Sequence, residues 1–183
     1  MDDYPAIKIT PGITKRVEER VRRDSLPGAR VNQFGHESHL RWGYYGEEIV
    51  KEYFGQVYHD NKSEYDLAYR LNKLEVKAVN ASARPEPDFE ASVNAAKGID
   101  RKQACDYFVF TRIKNDYSLG WIVGYIERDL FFKIAIYRGV GEVLYIKKNG
   151  QKVYVKNNPI RQCKIRDLYH IQILRDGVFN NGN

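Results

Sequence analysis

From Gly46 to Phe54 apolar side chains recur every three or four residues, and from Gln56 onward they recur every second residue. The first spacing predicts an amphipathic helix starting near Gly43, with Gly46, Ile49, Val50, Tyr53 and Phe54 on its buried face and Gly55 closing it. The second predicts three strands, at 56 to 58, 65 to 69 and 73 to 79, joined in a meander whose last hairpin turns at Arg70, Leu71 and Asn72.

Ahead of this region, Thr10, Pro11 and Gly12 open a charged helix over 13 to 24, Pro27 and Gly28 end it, and 25 to 40 reads as irregular. Behind it, Pro85 and Pro87 mark a loop, 91 to 104 reads as a helix weakened by Gly98, and 107 to 113 is the strongest candidate for a buried strand. A strand at 121 to 126, a helix at 128 to 136, a strand at 153 to 155 and an apolar run at 168 to 174 complete the pattern. The order helix, three strands, helix, strand predicts an α/β fold in a single domain. Its core spans about 43 to 126, with a basic N-terminal extension over 1 to 42 and a C-terminal addition over 127 to 183.

With 183 residues, 43% of them apolar, the chain can bury a core without disulfides. Cys105 and Cys163 form neither a metal knuckle nor a secreted disulfide framework. No apolar run approaches the roughly 18 residues of a membrane span, and the first residues lack the basic start and apolar core of a signal peptide. The expectation is a cytoplasmic protein, in the host cytoplasm if the source is viral, with no membrane partner.

Charge changes the picture by suggesting a partner. A net charge of +6 and a pI of about 9.2 favour a polyanion such as DNA. Lys15, Arg16, Arg20, Arg22, Arg23 and Arg30 crowd the first thirty residues, although Glu18, Glu19 and Asp24 dilute them, so a solvated helix face competes with a nucleic-acid track. Arg20, Arg22 and Arg23, with Lys97, Arg101 and Lys102 on the expected second core helix, are the candidate nucleic-acid contacts.

The candidate chemistry lies in the meander. Alternation puts Glu75 and Lys77 on one face of a strand, and the hairpin brings Asp66 opposite them. Carboxylates about 5 Å apart repel by roughly 3 kcal/mol per pair at an effective dielectric of 20, so the cluster calls for a counter-cation. Mg²⁺ or Mn²⁺ suits such oxygen donors and would polarise a phosphodiester for hydrolysis, with Lys77 positioning the attacking water. An ordinary strand ion pair between Glu75 and Lys77 is the plainer alternative. His36 and His39, without further ligands, fit a polar loop better than zinc.

Asp66 followed by Glu75, Val76 and Lys77, in that order of elements, resembles the PD-(D/E)XK nuclease superfamily over about residues 43 to 126. Tyr65 stands where the family's nominal proline would be. The resemblance implies a restriction-endonuclease-like core, metal binding by Asp66, Glu75 and the Val76 carbonyl, and catalysis involving Lys77. Glu47, in the stretch Gly43, Tyr44, Tyr45, Gly46, Glu47, matches the family's further helical acid and lies at the edge of the apolar face, whereas Glu48 points nearly opposite; both could instead only favour the helix dipole. Gln103 and Tyr107 resemble the Gln-x-x-x-Tyr element of the RecB-like and phage-exonuclease branch, with Gln103 supporting substrate placement and Tyr107 equally suited to a buried strand.

The reading is therefore an Mg²⁺-dependent DNA endonuclease of repair, recombination, restriction or phage DNA processing. A RecB-like exonuclease and a non-catalytic nucleic-acid-binding module on the same fold are the alternatives. RNA as substrate and a homodimer stay open, and because no Walker A segment is present, any helicase or recombination motor would be a separate partner.

Overall fold

The computed structural model describes residues 4–25, 37–55, 57–59, 65–96, 104–147 and 149–177. Thr10 caps the first helix, α1 (Pro11–Asp24), by accepting a hydrogen bond from the Ile13 amide at 3.3 Å, and Pro11 sits in the first turn, where its missing N–H leaves no bond unmade. The second, α2 (Glu37–Phe54), ends at Gly55, whose φ of 79° lets its N–H reach the Lys51 carbonyl at 2.8 Å. This helix starts well before Gly43, so residues 37 to 40 are helical rather than irregular. Leu40 and Trp42 pack against the core and extend the apolar stripe backward, which outweighs the ~1 kcal/mol a helical glycine costs.

The strands are β1 (Ala6–Lys8), β2 (Tyr58–His59), β3 (Leu67–Tyr69), β4 (Asn72–Ala81), β5 (Glu90–Asn94), β6 (Tyr107–Lys114), β7 (Leu119–Glu127), β8 (Ile136–Arg138), β9 (Val143–Ile146), β10 (Lys152–Tyr154) and β11 (Ile160–Lys164). Helices α3 (Arg128–Ile134) and α4 (Ile171–Asp176) follow β7 and β11. Six strands form a mixed sheet in the order β1-β7-β6-β4-β3-β2, in which only β4 and β6 run parallel, Leu74 beside Tyr107 through Ala81 beside Lys114. A smaller sheet has the order β5-β11-β8, and β9 and β10 form a ribbon.

Alternation divides the large sheet between two cores. On one face Leu74, Val76, Val109, Ile113 and Ile122 meet Ile49 and Val50 of α2 and Ile13, Val17 and Val21 of α1. On the other, Phe108, Phe110, Trp121, Val123 and Ile126 meet Phe131 of α3 and Ala91, Val93 and Cys163 of the small sheet. The fold is α/β, as the repeat pattern implied.

The expected helix at 91 to 104 is corrected over its first residues. Residues Glu90–Asn94 form a strand, with Ala91 and Val93 buried and Asn94 exposed, and every residue of β5 pairs with one of β11. Alanines that favour a helix locally are overridden by a strand partner far along the chain. Residues 97 to 103, which include Lys97, Arg101, Lys102 and Gln103, lie outside the described residues. Among the described residues between β4 and β6, β5 is followed by the start of a 3₁₀ turn at Ala96, and no helix of the described residues is long and apolar enough to cross a membrane.

Candidate functional site

β3 is short and β4 is long, and the candidate site lies at the step between them. The chain turns through Arg70, at a φ of 55°, and β3 pairs with β4 only from Leu67 to Tyr69. Beyond Leu74 the edge of β4 on that side has no paired strand among the described residues. Asp66 occupies the step. Its N–H donates to the Leu74 carbonyl at 3.1 Å, and its Oδ2 accepts from the Val76 N–H at 2.8 Å, giving that edge amide a partner. The Val76 carbonyl points to the same side as its N–H, which adds an oxygen near the Asp66 carboxylate.

Val76 and Ala78 face α2, so alternation puts Glu75 and Lys77 on the opposite face of β4. Lys77 Nζ donates to Glu75 Oε1 at 2.7 Å, and the Glu75 side chain is 11% exposed. Sequence spacing anticipated this shared face.

Glu47 arrives from α2. The helix rests on the sheet at Gly46, where a Cβ would stand 2.7 Å from both Ala78 Cβ and Thr111 Oγ1, so the absence of a side chain permits the close approach. Gly120 in β7 makes matching room for Ile49, whose Cδ1 would lie 2.7 Å from a Cβ there. Seated this low, α2 buries Glu47 to 5% exposure.

The fields of two other acids meet at Asp66. Burial, then the negative charges of Glu47 and Glu75, push its carboxyl well above the usual range, while Lys77 and the Val76 N–H pull the other way. Glu47 is pushed up to about 7, chiefly by burial with Glu75 adding to it, against the opposing pull of Arg20 and Lys51. Cys105, just before β6, belongs to the same electrostatic neighbourhood: burial and then Glu75 push its thiol up to about 12, with Lys77 opposing. No sequence spacing linked Cys105 to the acids. The parallel register, which sets Tyr107 beside Leu74, does.

Two residues sit differently from their sequence reading. The pairs Asp24 with Tyr44, Arg20 with Glu47 and Arg16 with Glu52 show α1 running antiparallel to α2. Arg20, read as a nucleic-acid contact, donates from Nη1 to Glu47 Oε2 at 2.5 Å and lies 3.9 Å from the Tyr44 ring centroid, while the Tyr44 hydroxyl donates to Asp24 Oδ2 at 2.6 Å. The signal in the sequence is that Arg20 follows Val17 by three residues and so borders the buried stripe of Ile13, Val17 and Val21.

Glu48, expected to point away, is instead buried and accepts from Arg16 Nε and Lys51 Nζ, each at 2.6 Å. Burial favours its neutral form, but the hydrogen bonds from Lys51 and Arg16 prevail and hold it below the usual range. The cause of the correction is that α2 is covered twice, by the sheet and by α1. Arg22 is exposed, Arg23 bonds Asp24 at 2.8 Å on the surface, and His36 and the side chain of His39 lie outside the described residues.

Oxygen donors of the kind that Asp66, Glu75, Glu47 and the Val76 carbonyl offer suit a hard divalent cation. Among the described residues no group of three or more His, Cys, Asp and Glu side chains is arranged to hold a metal ion; Glu47 is engaged by Arg20 and Glu75 by Lys77. No protein-family model and no curated protein matches the chain.

Proposed function

We propose that this chain is an Mg²⁺- or Mn²⁺-dependent nuclease with a restriction-endonuclease-like core, hydrolysing phosphodiester bonds in DNA. The observation that carries the reading is the Asp66 carboxyl, fixed on the Val76 amide and raised in pKa by burial and then by the charges of Glu47 and Glu75. Three separate segments converge there, and a helix crosses a mixed sheet whose long strand β4 runs parallel to β6. A divalent cation would supply a Lewis acid that polarises the phosphoryl group. Asp66, Glu75 and the Val76 carbonyl would hold it, and Glu47 would complete or orient the set.

Lys77, bonded to Glu75, would orient the attacking water and offset charge that grows on the phosphoryl oxygens. Gln103 would support substrate placement, and Arg22, Arg23, Lys97, Arg101 and Lys102 would grip the backbone. Endonuclease action is the first choice and RecB-like exonuclease action the alternative.

One observation favours a non-catalytic nucleic-acid-binding module: Arg20 and Lys77 already neutralise two of the acids. Incubation with circular, linear, single-stranded and branched DNA in Mg²⁺ or Mn²⁺, with EDTA and Asp66→Ala controls, separates these readings. Cut circles mean endonuclease, cutting of ends alone means exonuclease, and binding without cleavage or metal uptake means a binding module. Undiminished cleavage by Asp66→Ala refutes the assignment of the site.

A further inference from the structure

Glu75, Lys77, Val79 and Ala81 alternate along one face of β4, and at its far end opens a cavity of about 880 Å³ bounded by β8, β9 and the loop before β5. Ala81 lies roughly 20 Å along the strand from Glu75 at about 3.3 Å per residue, so the cavity is separate from the acid cluster. Its volume suits a small organic ligand.

The charges on its walls are unequally matched. Asp88 pairs with Arg166 at 2.7 Å, Glu90 with Lys164 at 2.7 Å, and Asp167 accepts from the Lys164 amide at 2.9 Å. The guanidinium groups have no such satisfaction. Arg112 donates to the backbone carbonyl of Glu90 at 2.8 Å and lies 4.9 Å from the Phe89 ring centroid, but among the described residues it makes no ion pair. Arg138 makes none either, and its buried Nε has no hydrogen-bond partner among the described residues. Burial lowers the pKa of Arg112, and the charge of Glu90 opposes that shift without reversing it.

Two guanidinium groups that line one cavity without an ion pair among the described residues suit an oxyanion, and their planar forks match phosphate oxygens. The rest of the wall supplies flat and apolar surface, with Tyr145 38% and Ile136 55% exposed. Gln162, only 6% exposed, spends its amide Nε2 on the Leu144 carbonyl at 3.2 Å and leaves Oε1 without a donor among the described residues. A phosphate beside a planar ring that carries amino groups meets all three features. We propose that this cavity binds a nucleotide, its phosphate on Arg112 and Arg138, its base against Tyr145 and the amide of Gln162. The site goes beyond the nuclease reading and stands whether or not Asp66 and Glu75 hold a metal.

The test is calorimetric titration of the full chain in EDTA with nucleoside 5′-monophosphates, the matching unphosphorylated nucleosides and inorganic phosphate. Monophosphates should saturate one site, with nucleosides and inorganic phosphate each about tenfold weaker or worse. Arg138→Gln and Tyr145→Ala, both at exposed or partly exposed positions, should each weaken the monophosphate about tenfold with an unchanged thermal midpoint, and Glu75→Gln should bind it as the parent does. A second arm identifies the source: a 5′-phosphorylated trinucleotide that displaces the monophosphate and needs Arg138 assigns a strand end, and one that does not displace it assigns a free nucleotide. Absence of saturation at millimolar monophosphate, inorganic phosphate binding as tightly as the nucleotide, or affinity indifferent to both substitutions overturns the proposal. Loss of DNA cleavage in Glu75→Gln with nucleotide binding intact bears on the nuclease reading alone.

Discussion

The guanidinium of Arg20 is bonded to the carboxylate of Glu47 at 2.5 Å, between two helices and beneath the ring of Tyr44. Glu47 still titrates near 7, because burial outweighs what Arg20 returns. A carboxyl whose folded value exceeds its unfolded one binds its proton more tightly when folded, so its contribution is fully present below the unfolded value of 4.5 and is lost as pH rises through about 7. Asp66 acts in the same sense, and Glu48, with its lowered value, acts in the opposite sense below that window. Metal-free protein should therefore lose stability between about pH 5 and pH 7, by on the order of 3 kcal/mol from Glu47. Urea unfolding across that range checks it: Glu47→Gln should flatten the slope, and stability that climbs with pH in the parent would contradict it.

If the proposed metal site is right, Asp66→Ala and Glu75→Ala should each reduce turnover at least about a hundredfold while leaving the fold intact, since each would remove an oxygen pair from it. Lys77→Ala should lose most turnover yet keep the thermal shift that Mn²⁺ induces. Cleavage by Lys77→Ala at the parental rate would return Lys77 to a strand ion-pair partner.

Gly46→Ala places a methyl group 2.7 Å from Ala78 Cβ and Thr111 Oγ1, so α2 must lift. The cost should be about 1–3 kcal/mol, with a loss of metal-induced stabilisation as Glu47 moves away. Gly43→Ala is the control, because a Cβ there meets nothing within 4 Å, and it should stabilise the helix by roughly 0.5–1 kcal/mol. Equal thermal midpoints for the two variants would show that α2 is not seated by Gly46.

DNA affinity should fall with salt at a slope near −0.9 per phosphate contacted on a duplex. Arg22→Glu with Arg23→Glu should flatten that slope without changing metal affinity. Arg20→Glu is unsuited to this test, since it also removes the cation beside Glu47. Binding titrations at several salt concentrations with Lys77→Ala decide the matter; an unaltered slope moves the track to Lys97, Arg101 and Lys102.

Local geometry made the acid cluster legible. Two-residue alternation set Glu75 and Lys77 on one face, the hairpin at Arg70 brought Asp66 beside them, and the helical stripe from Gly46 to Phe54 put Glu47 at its edge. What the sequence concealed depends on distant partners. Glu90–Asn94 is a strand because β11 pairs with it, Glu48 is buried because α1 lies over α2, and Arg20 turns inward for the same reason. Helix propensity and charge counts carry no record of which surface will cover another.

The parallel ladder of β4 and β6 also sets an order in time. A hairpin such as β3 with β4 closes in microseconds, so Asp66 can meet Glu75 early. Leu74 meets Tyr107 only after the long crossover between β4 and β6 has closed, and pairings of that separation form slowly. Glu47 takes its final position from both strands, because Gly46 seats against Ala78 of β4 and Thr111 of β6 alike. The acid set therefore reaches its full arrangement only when the crossover is closed and both strands lie under the helix.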